Sequence, residues 1–363
     1  MRGLYKKGLP VPQVEGRMGM IRFNNDYSEG AHPRILERLM ETNLEQTPGY
    51  GEDVYCKEAQ RLIREKCSAP NAEAHFVVGG TQANLIVVAA ALRPWQGAVC
   101  AQSGHINVHE TGAVEATGHK VLGLPHKDGK IDAAQVRACC EEHIHDASFE
   151  HTVQPGMVYI SQPTEYGTLY TKRELEELYT VCKAYGLYLF VDGARLAYGL
   201  EALGNDVDLK TLAANCDVFY IGGTKVGALF GEAIVILNDS LKKDFRYMIK
   251  QRGAMLAKGR LLGIQFETLL KDGLYEEMGA HADRLADELR AAFSEKGYPF
   301  YVENTTNQLF PILPNILLES WKDKYVWELN CQVDEDHSTV RFCTSWATKP
   351  EWIAALISDI RES

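Results

Sequence analysis

The chain has 363 residues, of which 45% are hydrophobic and 24% are charged. This length can bury a large core and predicts one large domain with a smaller one beside it. The net charge is −11 and the acidic residues are dispersed, which argues against nucleic acid or an anionic membrane as the main partner. No apolar run of the sequence is long enough to span a bilayer.

Cysteine usage and the N-terminal segment bear on the compartment. The nine cysteines include no C-x-x-C pair, and an odd number of thiols in largely apolar surroundings is typical of a reducing compartment. The first 20 residues are basic and contain Pro and Gly, but they lack the hydrophobic segment of a secretion signal. We expect a cytoplasmic protein with a loose leader over residues 1–20; a poor organelle presequence is the alternative.

Strand-like runs alternate with amphipathic helical stretches from about residue 53 to residue 237. The alternation predicts an α/β fold whose large domain has a mostly parallel sheet flanked by helices on both faces. Helix 171–184 should begin with a capped, acidic first turn. The other predicted helices are 81–93 and 108–116, and the predicted strands are 75–78, 98–102, 157–161, 188–192, 217–223 and 232–237, the last a candidate antiparallel strand.

The pattern changes near residue 275. A long helix is predicted at about 276–296, followed by strands at 308–313 and 339–345 and a terminal helix at 350–361. These elements would form a small C-terminal α+β domain, connected to the large one by helices within 239–272. We therefore expect the large domain to span residues 21–273 and the small one residues 274–363.

Two residues are placed to hold a cofactor. Asp192 closes the predicted strand YLFVD, and Lys225 follows DVFYIGG in a glycine-flanked turn. Pyridoxal 5'-phosphate needs a lysine amine for its Schiff base and a carboxylate that keeps its pyridine nitrogen protonated. The glycines beside Lys225 let the backbone approach the ring and phosphate closely. The alternative is that Asp192 merely ends a parallel strand and Lys225 is solvated.

The GGTQAN segment predicts a strand-to-helix turn that can bind an anion. Gly80, Thr81 and Gln82 would present backbone N–H groups and a helix N-terminus to a phosphate. No G-K-[ST] follows and the pattern is not G-x-G-x-x-G, so a Walker loop or a dinucleotide site is disfavoured. A tight turn with Thr81 as helix N-cap is the alternative interpretation.

His105 follows the predicted strand 98–102, where active-site residues of a parallel sheet lie. Its imidazole could stack on the pyridine ring and take part in proton transfer. The spacing of His105, His109 and Glu110 also suggests a metal site, but the order H-E-x-x-H is absent, so no metal is predicted. A plain helix-start histidine remains the alternative.

Two arginines could bind a substrate carboxylate. Arg195 lies three residues after Asp192, where its planar guanidinium can grip a carboxylate; a salt bridge at a helix start is the alternative. Arg341 lies in the apolar strand TVRFCTS, where an inward-pointing arginine needs an anion partner. It is either a second grip on the same carboxylate or a solvated edge residue.

The succession of motifs resembles one family. FNNDYSEGAHP, GYGEDVY, GGTQAN, GHINVHETGA, VDGARL, GGTK and VRFCTSWA are similar to those of pyridoxal-phosphate-dependent threonine aldolases of the β-eliminating lyase group. The resemblance runs from about residue 22 to the C-terminus. It implies the aspartate-aminotransferase-like fold, called fold type I, and a homodimer or homotetramer with active sites at the subunit interface. It also implies cleavage of threonine or allo-threonine into glycine and acetaldehyde.

Roles follow from the resemblance position by position. Lys225 would form the Schiff base, Asp192 would face the ring nitrogen and His105 would stack on the ring. The substrate carboxylate would be bound by Ser28, Arg195 and Arg341. The implied cofactor contacts further include Gly80, Thr81, Gln82, Arg195 and Thr224, with Arg260 or Lys258 reaching the phosphate from a neighbouring subunit.

One position departs from the family pattern. Many threonine aldolases carry a histidine near the substrate hydroxyl, where SQPTEYGTLY places Glu165. A glutamate could accept the hydroxyl proton if burial raised its pKa. A bulkier aryl-serine substrate stays open, because Tyr50, Tyr55 and Tyr166 are near the site motifs, although they are equally plausible packing residues. β-Elimination, transamination, a Rossmann-like oxidoreductase and a non-catalytic binding protein are the rival functions.

Overall fold

The structure, a computed structural model, describes residues 19–363. Residues 1–18 of the expected leader lie outside the described residues. The strands are β1 (Ile21–Arg22), β2 (Glu73–Val77), β3 (Gln96–Ala101), β4 (Val121–Leu124), β5 (Gln154–Ser161), β6 (Tyr188–Asp192), β7 (Val218–Gly222), β8 (Glu232–Ile236), β9 (Gln308–Leu309), β10 (Ile312–Pro314), β11 (Tyr325–Val326), β12 (Glu328–Gln332) and β13 (His337–Cys343).

The α-helices lie between and after these strands. They are α1 (Pro33–Thr42), α2 (Val54–Lys66), α3 (Gly80–Ala91), α4 (His105–Val108), α5 (Ala133–His145), α6 (Lys172–Ala184), α7 (Leu196–Glu201), α8 (Leu209–Ala214), α9 (Asp239–Lys242), α10 (Phe245–Gln251), α11 (Arg260–Leu270), α12 (Leu274–Glu295), α13 (Asn315–Trp321) and α14 (Pro350–Glu362). Within residues 19–363, none of them is both long enough and apolar enough to cross a membrane.

Seven strands form the central sheet, in the order β2-β8-β7-β6-β5-β3-β4. Neighbouring strands from β7 to β4 run parallel, whereas β8 is antiparallel to both β7 and β2. The predicted mostly parallel sheet and the antiparallel direction of 232–237 are therefore confirmed. The carboxyl ends of the parallel strands lie at one edge of the sheet, where ligand sites of such folds form.

The sheet is covered on both faces, because successive side chains of a strand point to opposite sides. In β6, Leu189 and Val191 join one hydrophobic cluster, which also contains Leu175 of α6. Phe190 joins a second cluster, which contains Ile86 of α3. Strands buried on both faces read as continuous apolar runs, and this explains why YLFVD and VFYIG were recognisable in the sequence.

The sequence predicted the start of one helix correctly and predicted another helix wrongly. Thr171 and Glu174 form the expected capping box of α6, with each side chain accepting from the other residue's backbone N–H. The predicted helix 108–116 is wrong: α4 ends at Val108. Thr111 and Gly112 have φ angles of 52° and 71°, which a right-handed helix cannot contain.

The C-terminal part has its own antiparallel sheet. β13 pairs with β10, β12 and β9, so the strand predicted at 308–313 is split into two short strands by Phe310 and Pro311. β1 pairs with β11, and Phe23 packs into the C-terminal hydrophobic cluster. The start of the described chain therefore packs with its end, while the domain bounds 21–273 and 274–363 stay predictions.

Candidate active site

Asp192 and Lys225 line the same cavity at the carboxyl edge of the central sheet. Asp192 is the last residue of β6, and Lys225 follows the adjacent strand β7 by three residues. The cavity, here called the inner cavity, has a volume of ≈ 130 Å³. It is lined by Gly80, Thr81, His105, Ser161, Pro163, Thr164, Glu165, Asp192, Ala194, Arg195, Tyr220 and Lys225.

A larger space, here called the outer cavity, adjoins the inner one. Its volume is ≈ 610 Å³, and the two cavities share His105, Glu165, Arg195 and Lys225 in their walls. Its other lining residues are Tyr27, Ser103, Val108, His109, Tyr166, Phe310, Glu328, Leu329, Asn330 and Arg341. Together the cavities provide a deep polar end at the sheet and a wider end that reaches the C-terminal part of the chain.

Asp192 is held as a buried anion. Its side chain is 4% exposed, and its Oδ2 accepts hydrogen bonds from Tyr159 at 2.6 Å and Asn84 at 3.2 Å. Burial acts to raise the pKa of Asp192, but the charge of His105 and hydrogen bonds from Tyr159 and Tyr220 outweigh it and lower that pKa. An ionised carboxylate at this depth suits the stabilisation of a cation beside it.

Lys225 is placed so that its amine loses its proton easily. Burial and the nearby charge of Arg195 lower the pKa of Lys225, against the opposing effect of Asp26, Glu232 and Asp192. Its carbonyl accepts a hydrogen bond from the Tyr198 hydroxyl at 2.6 Å, which fixes the turn after β7. A lowered pKa favours the neutral amine, which is the form that attacks an aldehyde.

The phosphate turn predicted at GGTQAN lies across the inner cavity. Gly79 is the N-cap of α3 and has no side-chain cap, so the alternative of Thr81 as N-cap is wrong. A Cβ atom on Gly80 would lie 3.0 Å from the Tyr220 hydroxyl, whereas one on Gly79 would meet nothing within 4 Å. The start of this helix therefore borders a narrow space, and the backbone N–H groups of a helix start suit an anion.

Gln82 does not line the inner cavity. Its Oε1 accepts from the backbone N–H of Val78 at 3.2 Å, and its Nε2 donates to the carbonyl of Arg252 at 3.3 Å. Thr224, next to Lys225, accepts the backbone N–H of Gly231 at 3.0 Å. In this chain both side chains hold backbone turns beside the cavity.

His105 belongs to a buried hydrogen-bond network. Its Nδ1 lies 2.8 Å from Oε1 of Glu110, which also accepts from Asn84 at 2.7 Å, and Asn84 in turn contacts Asp192. Burial acts to lower the pKa of His105, but the hydrogen bond to Glu110 and the charges of Asp192 and Glu110 raise it. Glu110 thus orients the imidazole, a role that a metal-ligand interpretation of the same residues did not foresee.

Metal binding finds no support at this position. In the part of the chain that the structure describes, no three His, Cys, Asp or Glu side chains form a group able to hold a metal ion. The His109 ring is tilted against the His105 ring at 5.6 Å and faces the outer cavity. Glu110 is directed instead at His105 and Asn84.

Glu165 contributes a carboxylate to both cavities. Its Oε1 accepts the backbone N–H of His105 and the hydroxyl of Ser161, each at 2.8 Å. Burial raises the pKa of Glu165, and the charge of Asp192 raises it further. These contacts fix the carboxylate beside His105.

Arg195 makes a bidentate ion pair within the protein. Its Nε donates to Oδ2 of Asp26 at 2.7 Å and its Nη2 to Oδ1 at 3.0 Å. Asp26 is fully buried and also accepts from Asn307 at 2.9 Å. The salt-bridge alternative is therefore present, yet Arg195 also lines both cavities.

Arg341 reaches the outer cavity from β13, whereas Ser28 lines neither cavity. The Arg341 guanidinium donates to the carbonyl of Asn24 at 3.0 Å and forms an ion pair with Glu328. Ser28 is exposed, and its hydroxyl donates to Asn25 at 3.0 Å. The Glu328 carboxylate thus forms an ion pair with Arg341, the guanidinium that was predicted to bind a substrate carboxylate.

Arg260 and the predicted aromatic residues are distributed over separate regions. The Arg260 guanidinium donates to the carbonyls of Thr42 and Glu45 and, with Lys258, lines a different cavity. Tyr166 lines the outer cavity. Tyr55 is buried beneath Arg260, and exposed Tyr50 lines a fourth cavity.

Several residues of the site were not predicted from the sequence. Asp26 and Glu110 are charged side chains buried against Arg195 and His105, and Glu232 is buried behind Lys225. Asp26 lies within the FNNDYSEG motif, which the sequence analysis used, but its ion pair with Arg195 was not predicted. A carboxylate inside an otherwise apolar run, as in GEAIVIL, was the available signal for Glu232.

Comparisons with known proteins define the class of this chain. A family model described as beta-eliminating lyase matches residues 26–313, and the chain belongs to the beta-eliminating lyase family. Aspartate aminotransferase from Thermus thermophilus superposes with a TM-score of 0.69 at 15% identity, over 95% of this chain and 91% of that one. That likeness concerns the fold alone, and it confirms the expected aspartate-aminotransferase-like architecture.

Within that class the similarity is to threonine aldolases. The structure of a threonine aldolase from Leishmania major is 46% identical, with a TM-score of 0.92, over 94% of this chain and 99% of that one. Low specificity L-threonine aldolases from a Pseudomonas species (strain NCIMB 10558) and from Pseudomonas aeruginosa are 30% and 31% identical, each over 94% of this chain and 97% of the relative. The family resemblance read from the motifs is confirmed.

Proposed function

We propose that this chain is a pyridoxal-phosphate-dependent aldolase that cleaves L-threonine, L-allo-threonine or a similar β-hydroxy-α-amino acid into glycine and an aldehyde. The observation that carries the proposal is the pair Asp192 and Lys225 at adjacent strand ends in one cavity. Relatives named threonine aldolases, similar over almost the whole chain, support the same reaction. The alternatives of β-elimination and transamination are disfavoured by these relatives.

The donor set of the inner cavity fits the cofactor. Lys225 supplies an amine of lowered pKa, and Asp192 supplies a buried anion for the pyridine nitrogen. The narrow start of α3 at Gly80 and Thr81 offers backbone N–H groups to the phosphate. When bound, pyridoxal phosphate supplies an electron sink for the bond that breaks at the substrate Cα.

The substrate would be oriented by its carboxylate. Arg195 and Arg341 lie in the walls of the outer cavity, and Ser28 follows Tyr27, which lines it. Asp26 holds the Arg195 guanidinium through Nε and Nη2, so that its remaining edge can face the substrate. Fixing the carboxylate sets the orientation of the bond between Cα and Cβ, which decides the bond that breaks.

Glu165 is proposed as the base for the β-hydroxyl. Its Oε1 is occupied by His105 and Ser161, which holds the carboxylate in place. Burial raises its pKa toward the range in which a carboxylate accepts a proton effectively. His105, whose imidazole is oriented by Glu110, is proposed to cover the cofactor ring.

Assembly and location are part of the proposal. We infer a cytoplasmic homodimer or homotetramer in which Arg260 or Lys258 reaches the phosphate of a neighbouring subunit. Arg260 and Lys258 do not line the inner cavity of their own chain, which supports a role between subunits. All nine cysteines lie in the described residues and are free, which suits a reducing compartment.

Product identification tests the proposal. Purified protein saturated with pyridoxal phosphate is incubated with threonine, allo-threonine and 3-phenylserine, the last because Tyr166, Phe310 and Leu329 line the outer cavity. Glycine and the matching aldehyde are expected, together with a yellow enzyme that borohydride bleaches by attaching the cofactor to Lys225. The Lys225→Ala variant should lack both the bleachable colour and the cleavage. Ammonia with a 2-oxo acid as products would instead identify an eliminating lyase.

A further inference from the structure

Glu232 is a buried carboxylate between the two turns of the inner cavity. It is the first residue of β8 and is 4% exposed. In the sheet it lies opposite Val77 on one side and Gly222 on the other. Val77 ends the strand that leads to the phosphate turn, and Gly222 ends the strand that leads to Lys225. One acidic side chain is therefore inserted between both cofactor-binding turns.

The contacts of Glu232 are directed at the turn that carries Lys225. Its Oε2 accepts the backbone N–H of Gly223 at 3.0 Å, and its carboxylate also interacts with the Thr224 hydroxyl. Thr224 in turn accepts the backbone N–H of Gly231, the residue before Glu232. These bonds fix the two residues that precede the lysine.

Charge links the carboxylate to the lysine amine. Burial raises the pKa of Glu232 to about 7, and the positive charge of Lys225 opposes that rise. The negative charge of Glu232 in turn acts to raise the pKa of Lys225. Asp192, Tyr220 and Tyr275 are the other titratable groups around Glu232, and Lys225 is the cation that offsets its burial.

We propose that Glu232 is a positioning residue for Lys225. The Glu232 carboxylate holds the Gly223–Lys225 turn and stabilises positive charge on the lysine nitrogen. The inference rests on the proposed function, because the lysine nitrogen is the atom to which the cofactor would be joined. A carboxylate that is half ionised near neutral pH responds when that nitrogen gains or loses a proton, because the two charges interact across a buried space. Glu232 thus changes how strongly the lysine nitrogen holds its proton, without contacting the substrate.

The test is a pH titration of the visible absorption of the cofactor-loaded enzyme. In Glu232→Gln the amide oxygen can still accept from Gly223, so the turn is kept while the charge is lost. The midpoint of the titration is expected to fall by about one pH unit, the size typical of removing a nearby opposite charge. Glu73→Gln, at the far end of β2 where residue 73 pairs with Ile236, is the control and should leave the midpoint unchanged.

Three outcomes are distinguishable. A Glu232→Gln midpoint equal to that of the wild type overturns the inference, while a wild-type protein without a visible band contradicts the proposed function itself. If Glu232→Gln does not fold, Thr224→Val carries the test, because losing the hydroxyl leaves the Glu232 anion less stabilised. Its midpoint should then also fall, and an unchanged value would count against the inference.

Discussion

Glu165 has one carboxylate oxygen occupied by the protein and a raised pKa. Its Oε1 accepts from His105 and Ser161, which fixes the carboxylate without neutralising it. Because burial and the Asp192 charge raise its pKa, Glu165 is a stronger base than an exposed glutamate. Glu165 is therefore suited to its proposed role of accepting the hydroxyl proton.

Glu165→Gln should separate this role from binding. The amide keeps an oxygen for His105 and Ser161 but cannot accept a proton, so kcat for threonine cleavage is expected to fall by about 10²–10⁴-fold with KM little changed. Steady-state assays of aldehyde release measure this. Exchange of the glycine α-proton with solvent does not involve a β-hydroxyl and serves as the control, since it should persist. Cleavage at the wild-type rate would show that Glu165 is not the base.

For single residues, the sequence predicted which side chains line the site better than it predicted the side chains that they contact. Asp192 and Lys225 were identifiable because Asp192 ends one buried strand and Lys225 follows another, and strand ends meet at one edge of a parallel sheet. Asp26 pairs with Arg195 across 169 positions of the chain. No local pattern encodes such a pair, because its distance depends on how two separate segments of the chain pack together.

Among the elements, the turn from β2 to α3 leaves little room for a side chain at Gly80, next to the inner cavity. A Cβ atom on Gly80 would lie 3.0 Å from the Tyr220 hydroxyl, closer than ordinary van der Waals contact. Tyr220 also hydrogen-bonds Asp192, so it cannot move without disturbing the buried anion. The turn is therefore coupled through Tyr220 to the Asp192 carboxylate, which links the proposed phosphate site to the proposed partner of the pyridine nitrogen.

Gly80→Ala should weaken cofactor binding while the fold persists. The added methyl group displaces Tyr220 or the turn, so the Kd for pyridoxal phosphate is expected to rise by about tenfold, equivalent to ~1.4 kcal/mol. Absorption titration of cofactor-free protein measures the Kd. Gly79→Ala is the matched control, since its Cβ would meet nothing within 4 Å and its φ of −173° is open to any residue. Equal affinities of both variants would contradict the tight-turn argument.

Element boundaries were least predictable where backbone conformation overrides the apolar pattern. The stretch 108–116 follows a predicted strand, where a helix was expected, yet Thr111 and Gly112 adopt left-handed φ angles. In 308–313, Pro311 has no N–H to donate, so the strand divides into β9 and β10. The exposed strand β12 has a mostly polar outer surface and left no recognisable signal.

For the molecule as a whole, α12 connects the two hydrophobic regions. Its Met278 and Ala282 pack in the cluster beside the central sheet, whereas Leu285 and Leu289 pack in the C-terminal cluster. Asp283 lies between these groups and is 4% exposed. Among the described residues, neither of its carboxylate oxygens has a hydrogen-bond partner. An acid therefore sits at the junction of the two cores.

Asp283 should make stability depend on pH. Burial raises the pKa of Asp283 to about 9, so the folded chain keeps it protonated at neutral pH while the unfolded chain ionises it. The contribution of Asp283 to the free energy of unfolding is therefore highest at low pH, where Asp283 is protonated in both states, and it decreases as pH rises toward 9. Asp283→Asn, which mimics the protonated acid, is expected to gain on the order of 1–3 kcal/mol at pH 7 and little near pH 4. Denaturant unfolding at both pH values measures the difference.

The exposed Glu288 of the same helix provides the comparison. Glu288→Gln removes a negative charge from an exposed position of α12, and Glu288 is not one of the charges that raise the pKa of Asp283. It should produce no gain at pH 7. A destabilised Asp283→Asn protein at neutral pH would indicate that Asp283 is ionised and paired in the folded state.

The carboxylate of Asp26 joins three distant parts of the polypeptide. It accepts from Arg195 and from Asn307, whose side chain donates in turn to the carbonyl of Thr344 near the C-terminus. During translation, Arg195 emerges from the ribosome long before Asn307 and Thr344 do. A nascent chain therefore cannot complete this arrangement around Arg195, which lines both cavities, until residues 307 and 344 have been synthesised.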